Sequence, residues 1–143
     1  MVTELRERFP DQFVYAEWGY GQGLLVGRPG SAERFSQAVA EAGALAVVWE
    51  ADRPTEVEQL RLVEAVTRQV LEHAPGSSAA IGYDYRGNSV QVTVSAVPDL
   101  DQFRAALSRA VDSAVLVRWG VSVRVEVNPD IGLTEEVGVG SAL

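Results

Sequence analysis

Ala79-Ala80-Ile81-Gly82-Tyr83-Asp84-Tyr85-Arg86-Gly87-Asn88-Ser89-Val90-Gln91-Val92-Thr93-Val94-Ser95 decides the fold. Two runs rich in β-formers flank Arg86-Gly87-Asn88-Ser89, and Gly87-Asn88 is suited to the positive φ angles of a tight hairpin turn. On the second run Val90, Val92 and Val94 alternate with Gln91, Thr93 and Ser95, which gives one face to a core and the other to water.

Outward from this hairpin the rest of the chain falls into order. Val2–Phe9 is an entry helix stopped by Pro10. Phe13–Trp18 and Leu24–Gly27 are strands joined by a glycine-rich loop, and Ser31 is placed to cap a helix reaching Ala42, with Phe35, Ala38, Val39 and Ala42 on one stripe. Ala44–Glu50 is almost continuously apolar and reads as a central strand, with Trp49 in the core. Thr55 and Glu58 have capping-box spacing, and the longest helix follows to His73, with Val57, Leu60, Val63, Val66, Val70 and Leu71 turned inward. After the hairpin, Pro98-Asp99 opens a helix carrying Leu100, Phe103, Leu107 and Ala110 on one face. Ala114–Trp119 and the alternating Val121–Val127 read as strand, broken at Gly120.

The order strand, strand, helix, strand therefore occurs twice. Tyr15/Tyr83, Leu24/Val92, Val26/Val94, Phe35/Phe103, Val39/Leu107 and Val47/Val115 share an offset of 68 residues. The expected fold is α+β: two ββαβ modules, antiparallel sheets covered by helices, joined by a long helix. Residues 1–53 hold the entry helix and first module, 54–76 the connecting helix, 77–127 the second module and 128–143 a flexible tail.

Composition narrows the function. All twelve basic residues are arginine, a bias that a GC-rich bacterial coding sequence produces, and twenty acidic residues bring the net charge to −8. Such a chain repels phosphate backbones and anionic membranes, so neither nucleic acid nor membrane is an expected partner. With no cysteine there is no disulfide or thiolate site, and with one histidine, His73, no histidine-rich metal centre. The charged N-terminus lacks the apolar run of a signal peptide, so a soluble, cytoplasmic chain is expected. Gly19, Gly21 and Gly23 alternate in a loop between strands, whereas a dinucleotide-binding glycine loop leads from strand into helix. Asp84, Asp99 and Asp101 fit turn and cap duties better than cation binding, so no cofactor, metal or catalytic residue is expected.

Glu7-Arg8-Phe9-Pro10-Asp11-Gln12-Phe13 leading into a strand that ends at Trp18, the helix Glu56–His73, and Gly82–Val92 together resemble the pro-regions of secreted bacterial chymotrypsin-like proteases of the α-lytic protease and streptogrisin type. Here the chain would be a stand-alone relative, since it carries no protease domain and no Gly-Asp-Ser-Gly-Gly segment. The resemblance implies a non-catalytic protein-binding module, a folding chaperone or inhibitor of a serine protease that offers a sheet edge and a C-terminal tail. On that basis the edge strand Val121–Val127, with Val121, Val123 and Val125, and the tail Asn128–Leu143, with Ala142 and Leu143, would touch the partner. Tyr20 and Tyr85 join them as exposed turn aromatics. Two alternatives stay open: a small-molecule or enzymatic site between the modules, and a subunit that forms a homodimer through its edge strands.

Overall fold

The structure is a computed structural model that describes residues 1–114 and 119–131. The order of elements is α1 (Val2–Arg8), β1 (Phe13–Gly19), β2 (Gln22–Gly27), α2 (Ala32–Glu41), β3 (Ala46–Glu50), α3 (Glu56–His73), β4 (Ala79–Asp84), β5 (Ser89–Val94), α4 (Leu100–Ala114) and β6 (Ser122–Val127). They divide into two compact units, Met1–Leu60 and Arg61–Leu143, with the boundary inside α3. The expected α+β architecture of two similar modules and a long helix is present. No helix among the described residues is long and apolar enough to cross a membrane.

Each unit holds a three-stranded sheet, in the orders β1-β2-β3 and β4-β5-β6. The hairpin strands are antiparallel as expected, but the third strand pairs parallel to the second in both units. A helical crossover dictates this, because it carries the chain back to the starting end of the sheet. The same geometry puts β3 at an edge, not in the middle of its sheet as the apolar run suggested.

In the first unit Leu5, Phe13, Leu25, Phe35 and Val39 form the core, with Ala46 and Val48 against it. The rings of Phe9 and Phe13 lie 6.5 and 6.3 Å from that of Phe35. Gly27 lies under α2, where an added Cβ would collide with Ser31 and the Phe35 ring. Ser31 does not cap α2 with its side chain; the hydroxyl donates to the Arg28 carbonyl at 2.6 Å. The Glu50 carboxylate takes that role from β3, accepting the Gly30 and Ala32 N–H groups at 2.9 Å each, where a helix favours negative charge.

In the second unit Leu62, Val66 and Val70 of α3 and Phe103, Leu107 and Val111 of α4 bury Val90, Val92 and Val94. The buried stripe of α3 is thus Leu62, Ala65, Val66 and Val70, while Val57, Leu60 and Leu71 are exposed, contrary to the inward face read from the sequence. The capping box forms, with Thr55 N–H to Glu58 Oε1 and Glu58 N–H to Thr55 Oγ1 both at 3.4 Å. The strand expected over Ala114–Trp119 begins on the last residue of α4, and residues 115–118 lie outside the described residues.

Ladder registers correct the gap-free repeat. Ala16 pairs with Leu25 and Leu25 with Val48; the equivalents are Ile81, Val92 and Val125. The offset is therefore 65 residues in the first strand, 67 in the second and 77 in the third, and it equals 68 only in the helix, at Phe35/Phe103 and Val39/Leu107. The increments come from a four-residue turn, Tyr85–Asn88, where the first hairpin has Tyr20-Gly21, and from a longer second crossover. One residue of slip in a strand reverses every side chain. Val92 and Val94 consequently face their helices, whereas Leu24 and Val26 face away from theirs.

Two glycines separate packing from propensity. Gly27→Ala should cost about 1–3 kcal/mol by overpacking, whereas Gly82→Ala, with nothing within 4 Å of the new Cβ, should add about 0.5–1 kcal/mol. Urea denaturation of each variant reads both signs.

Candidate protein-interaction surface

The alternate side chains of each sheet that do not enter its helix-covered core stand on the opposite face. In the second unit that face carries Ala80, Gly82 and Asp84 of β4, Gln91 and Thr93 of β5, and Ser122, Arg124 and Glu126 of β6. It is a solvated face. The register-equivalent positions of the first unit are Tyr15, Glu17 and Gly19 of β1, Leu24 and Val26 of β2, and Leu45, just before β3, with Val47 and Trp49 on it; Val26 is fully buried and Leu24 half-buried. Leucine, valine and tryptophan thus stand where the sister sheet has serine, arginine and glutamate.

The apolar set on β3 is accessible. Leu45 is 67%, Val47 40% and Trp49 54% exposed, and they recur every second residue. Trp49 pairs across the sheet with Val26 and Val47 with Leu24, while the Tyr15 hydroxyl donates to Glu17 at 2.7 Å. Trp18 projects to the opposite, helix-covered side, where its ring lies over Gly23 and would be struck by any Cβ there.

The β3 backbone adds directional groups to this stripe. Gly23 N–H donates to Leu45 O and Ala51 N–H to Gly27 O, so residues 45, 47, 49 and 51 turn their amides toward β2. By the alternation of a strand, Ala46, Val48 and Glu50 direct N–H and C=O outward, where no strand pairs among the described residues. Natural edges are usually blunted with charge. β6 follows that rule through Arg124 and Glu126, whereas the one charge on β3, Glu50, is engaged by the Gly30 and Ala32 N–H groups.

The residues singled out from the sequence have separate fates. Tyr20 is fully exposed at φ 53°, beside Gly21 at φ 77°, so the first turn has the two positive φ angles of a tight hairpin. Tyr85 is 7% exposed, which corrects its reading as a turn aromatic open to contact; Arg86 stacks on its ring at 4.8 Å. Val121, Val123 and Val125 pack partly buried against the second core, while Ser122, Arg124, Glu126 and Val127 are exposed. Ala142 and Leu143 lie outside the described residues, as does the tail from residue 132. Trp49, placed in the core from the sequence, is exposed.

The second hairpin turn is fixed by side chains. Asp84 accepts the Arg86 and Gly87 N–H groups at 3.1 and 3.2 Å, and Asn88, at φ 48°, accepts from the Tyr83 hydroxyl at 2.7 Å and donates to the Trp119 carbonyl at 2.7 Å. These bonds account for Asp84 as a turn residue. Elsewhere, a groove of about 390 Å³ runs between α1 and α2 over Leu5, Phe9 and Ala38. The arginines on its rim are engaged, Arg8 with Glu4 at 3.2 Å and Arg34 with Gln12 at 2.7 Å. No group of three His, Asp or Glu residues among the described residues converges as a metal site.

Comparison with known proteins finds no matching family model and no match among curated proteins.

The two aromatics should separate in stability measurements. Tyr85→Ala is expected to lower unfolding free energy by about 3 kcal/mol, and Trp49→Ala by no more than about 1 kcal/mol, measured by chemical denaturation.

Proposed function

We propose that this protein is a non-catalytic protein-binding module that receives an extended segment of a partner on the β3 edge of its first unit. One observation carries the reading: positions equivalent by ladder register are Leu45, Val47 and Trp49 in the first sheet and Ser122, Arg124 and Glu126 in the second. Strand addition draws affinity from main-chain hydrogen bonds and specificity from alternate side chains, and β3 supplies both in one segment. Exposed aromatic anchors beside such an edge suit it for protein contact.

The specific form of the proposal is a regulatory module of the pro-region type, a chaperone or inhibitor directed at a chymotrypsin-like serine protease. Its support is the resemblance carried by Glu7–Phe13, Glu56–His73 and Gly82–Val92, together with the repeated ββαβ order. In this form β3 is the contact the protease sees, in place of the β6 side chains that the resemblance first suggested.

A bacterial streptogrisin-type protease tests this directly. The wild-type chain should inhibit peptide hydrolysis, and Val47→Arg combined with Trp49→Glu, which copies the residues of the second sheet, should weaken inhibition at least about tenfold. Absence of inhibition by the wild-type chain would overturn the protease-directed form. Equal inhibition by the double variant would overturn the assignment to β3.

A further inference from the structure

We infer that the strand accepted by β3 is the β3 of a second copy of this chain, giving a two-fold homodimer with a continuous six-stranded sheet. The inference rests on the reading of β3 as a strand-accepting edge and names its occupant.

A two-fold axis perpendicular to the sheet sets an edge strand antiparallel to its own copy. In antiparallel self-pairing centred on Val47, Val47 faces the partner copy's Val47, and Leu45 faces its Trp49. These are apolar pairs of the kind that stabilise adjacent strands. On the helix-covered face Ala46 meets Val48 and Ala44 meets Glu50, so no two like charges oppose one another. Glu50 is already held by the N–H groups of Gly30 and Ala32. The amides of Ala46 and Val48 point outward, and each exchanges hydrogen bonds with the other across the axis.

The same operation gives β6 less. Centred on Arg124, the position equivalent to Val47, it sets Arg124 against the second copy's Arg124, and centred on Val125 it sets Arg124 against Glu126. Self-pairing of β3 therefore buries apolar side chains, whereas that of β6 gains at most exposed ion pairs, which contribute little. A closed two-fold contact of this type prevents open-ended addition of strands, and a protease segment then competes with the second copy for β3 and reaches it on the dissociated chain.

The chain contains no cysteine, so a single introduced thiol reports the register without background. Val47 forms the non-hydrogen-bonded pair on the axis, where Cα atoms stand about 4.5 Å apart, inside the range a disulfide spans. Full-length Val47→Cys should form a disulfide-linked dimer under mild oxidation, and Trp49→Cys, whose opposite number is Leu45, should not. Sedimentation of the wild-type chain should give twice the monomer mass, falling to one with Val47→Arg/Trp49→Glu. A wild-type monomer without cross-linking overturns the inference. If that monomer still inhibits the protease through Val47 and Trp49, the strand-accepting reading stands alone; if it does not, both fall. A dimer that survives the double substitution places the contact elsewhere and also overturns the inference.

Discussion

The controlling constraint is the period of two in a strand, which sends alternate side chains to opposite faces of the sheet. In each unit a hairpin is followed by a crossover helix and a parallel third strand, which leaves the second strand central and the third at an edge. The register then decides which alternate side chains enter the core. In the second unit it sends Val90, Val92 and Val94 inward and leaves Gln91 and Thr93 in water. In the first unit the inward positions of β2 are Gly23, Leu25 and Gly27, two of them glycines beneath a Trp18 ring and α2. Apolar residues consequently stand on the opposite face, where Val26 is buried and Val47 and Trp49 are exposed.

That difference gives the two halves different relations to their surroundings. A charged edge strand gains little from pairing, since Arg124 and Glu126 are exposed and ion pairs at such positions contribute little. An edge carrying Leu45, Val47 and Trp49 gains by being covered. Both edges have outward backbone groups, so the side chains set the preference. The repeat therefore acts as an internal control: one architecture, with a charged outer edge strand in one unit and an apolar one in the other.

Much of the fold was legible in the sequence, and the failures have identifiable causes. The hairpins, the Thr55/Glu58 capping box and the helices were readable because Gly, Pro and cap residues punctuate runs of clear periodicity. The inward face of α3 was misread because Val57, Leu60 and Leu71 are as apolar as Leu62, and periodicity alone does not choose between overlapping stripes. The position of β3 was missed for a related reason. Ala44–Glu50 is apolar on both sides, like a central strand, yet the strand is at an edge with one side open. Its signal was in the residue sizes: Leu45, Val47 and Trp49 alternate with Ala44, Ala46, Val48 and Glu50. Tyr85 looked like a turn aromatic from its neighbours Arg86-Gly87, but the four-residue turn buries it, which spacing to the first hairpin did not reveal.

The most direct measurement is residue-level amide hydrogen exchange as a function of protein concentration. Ala46 and Val48 on β3 and Val123 and Val125 on β6 all direct their amides to an outer edge. With rising concentration, exchange at Ala46 and Val48 should slow while exchange at Val123 and Val125 stays unchanged. Exchange at all four that is insensitive to concentration, or that slows on β6 instead, would contradict the account.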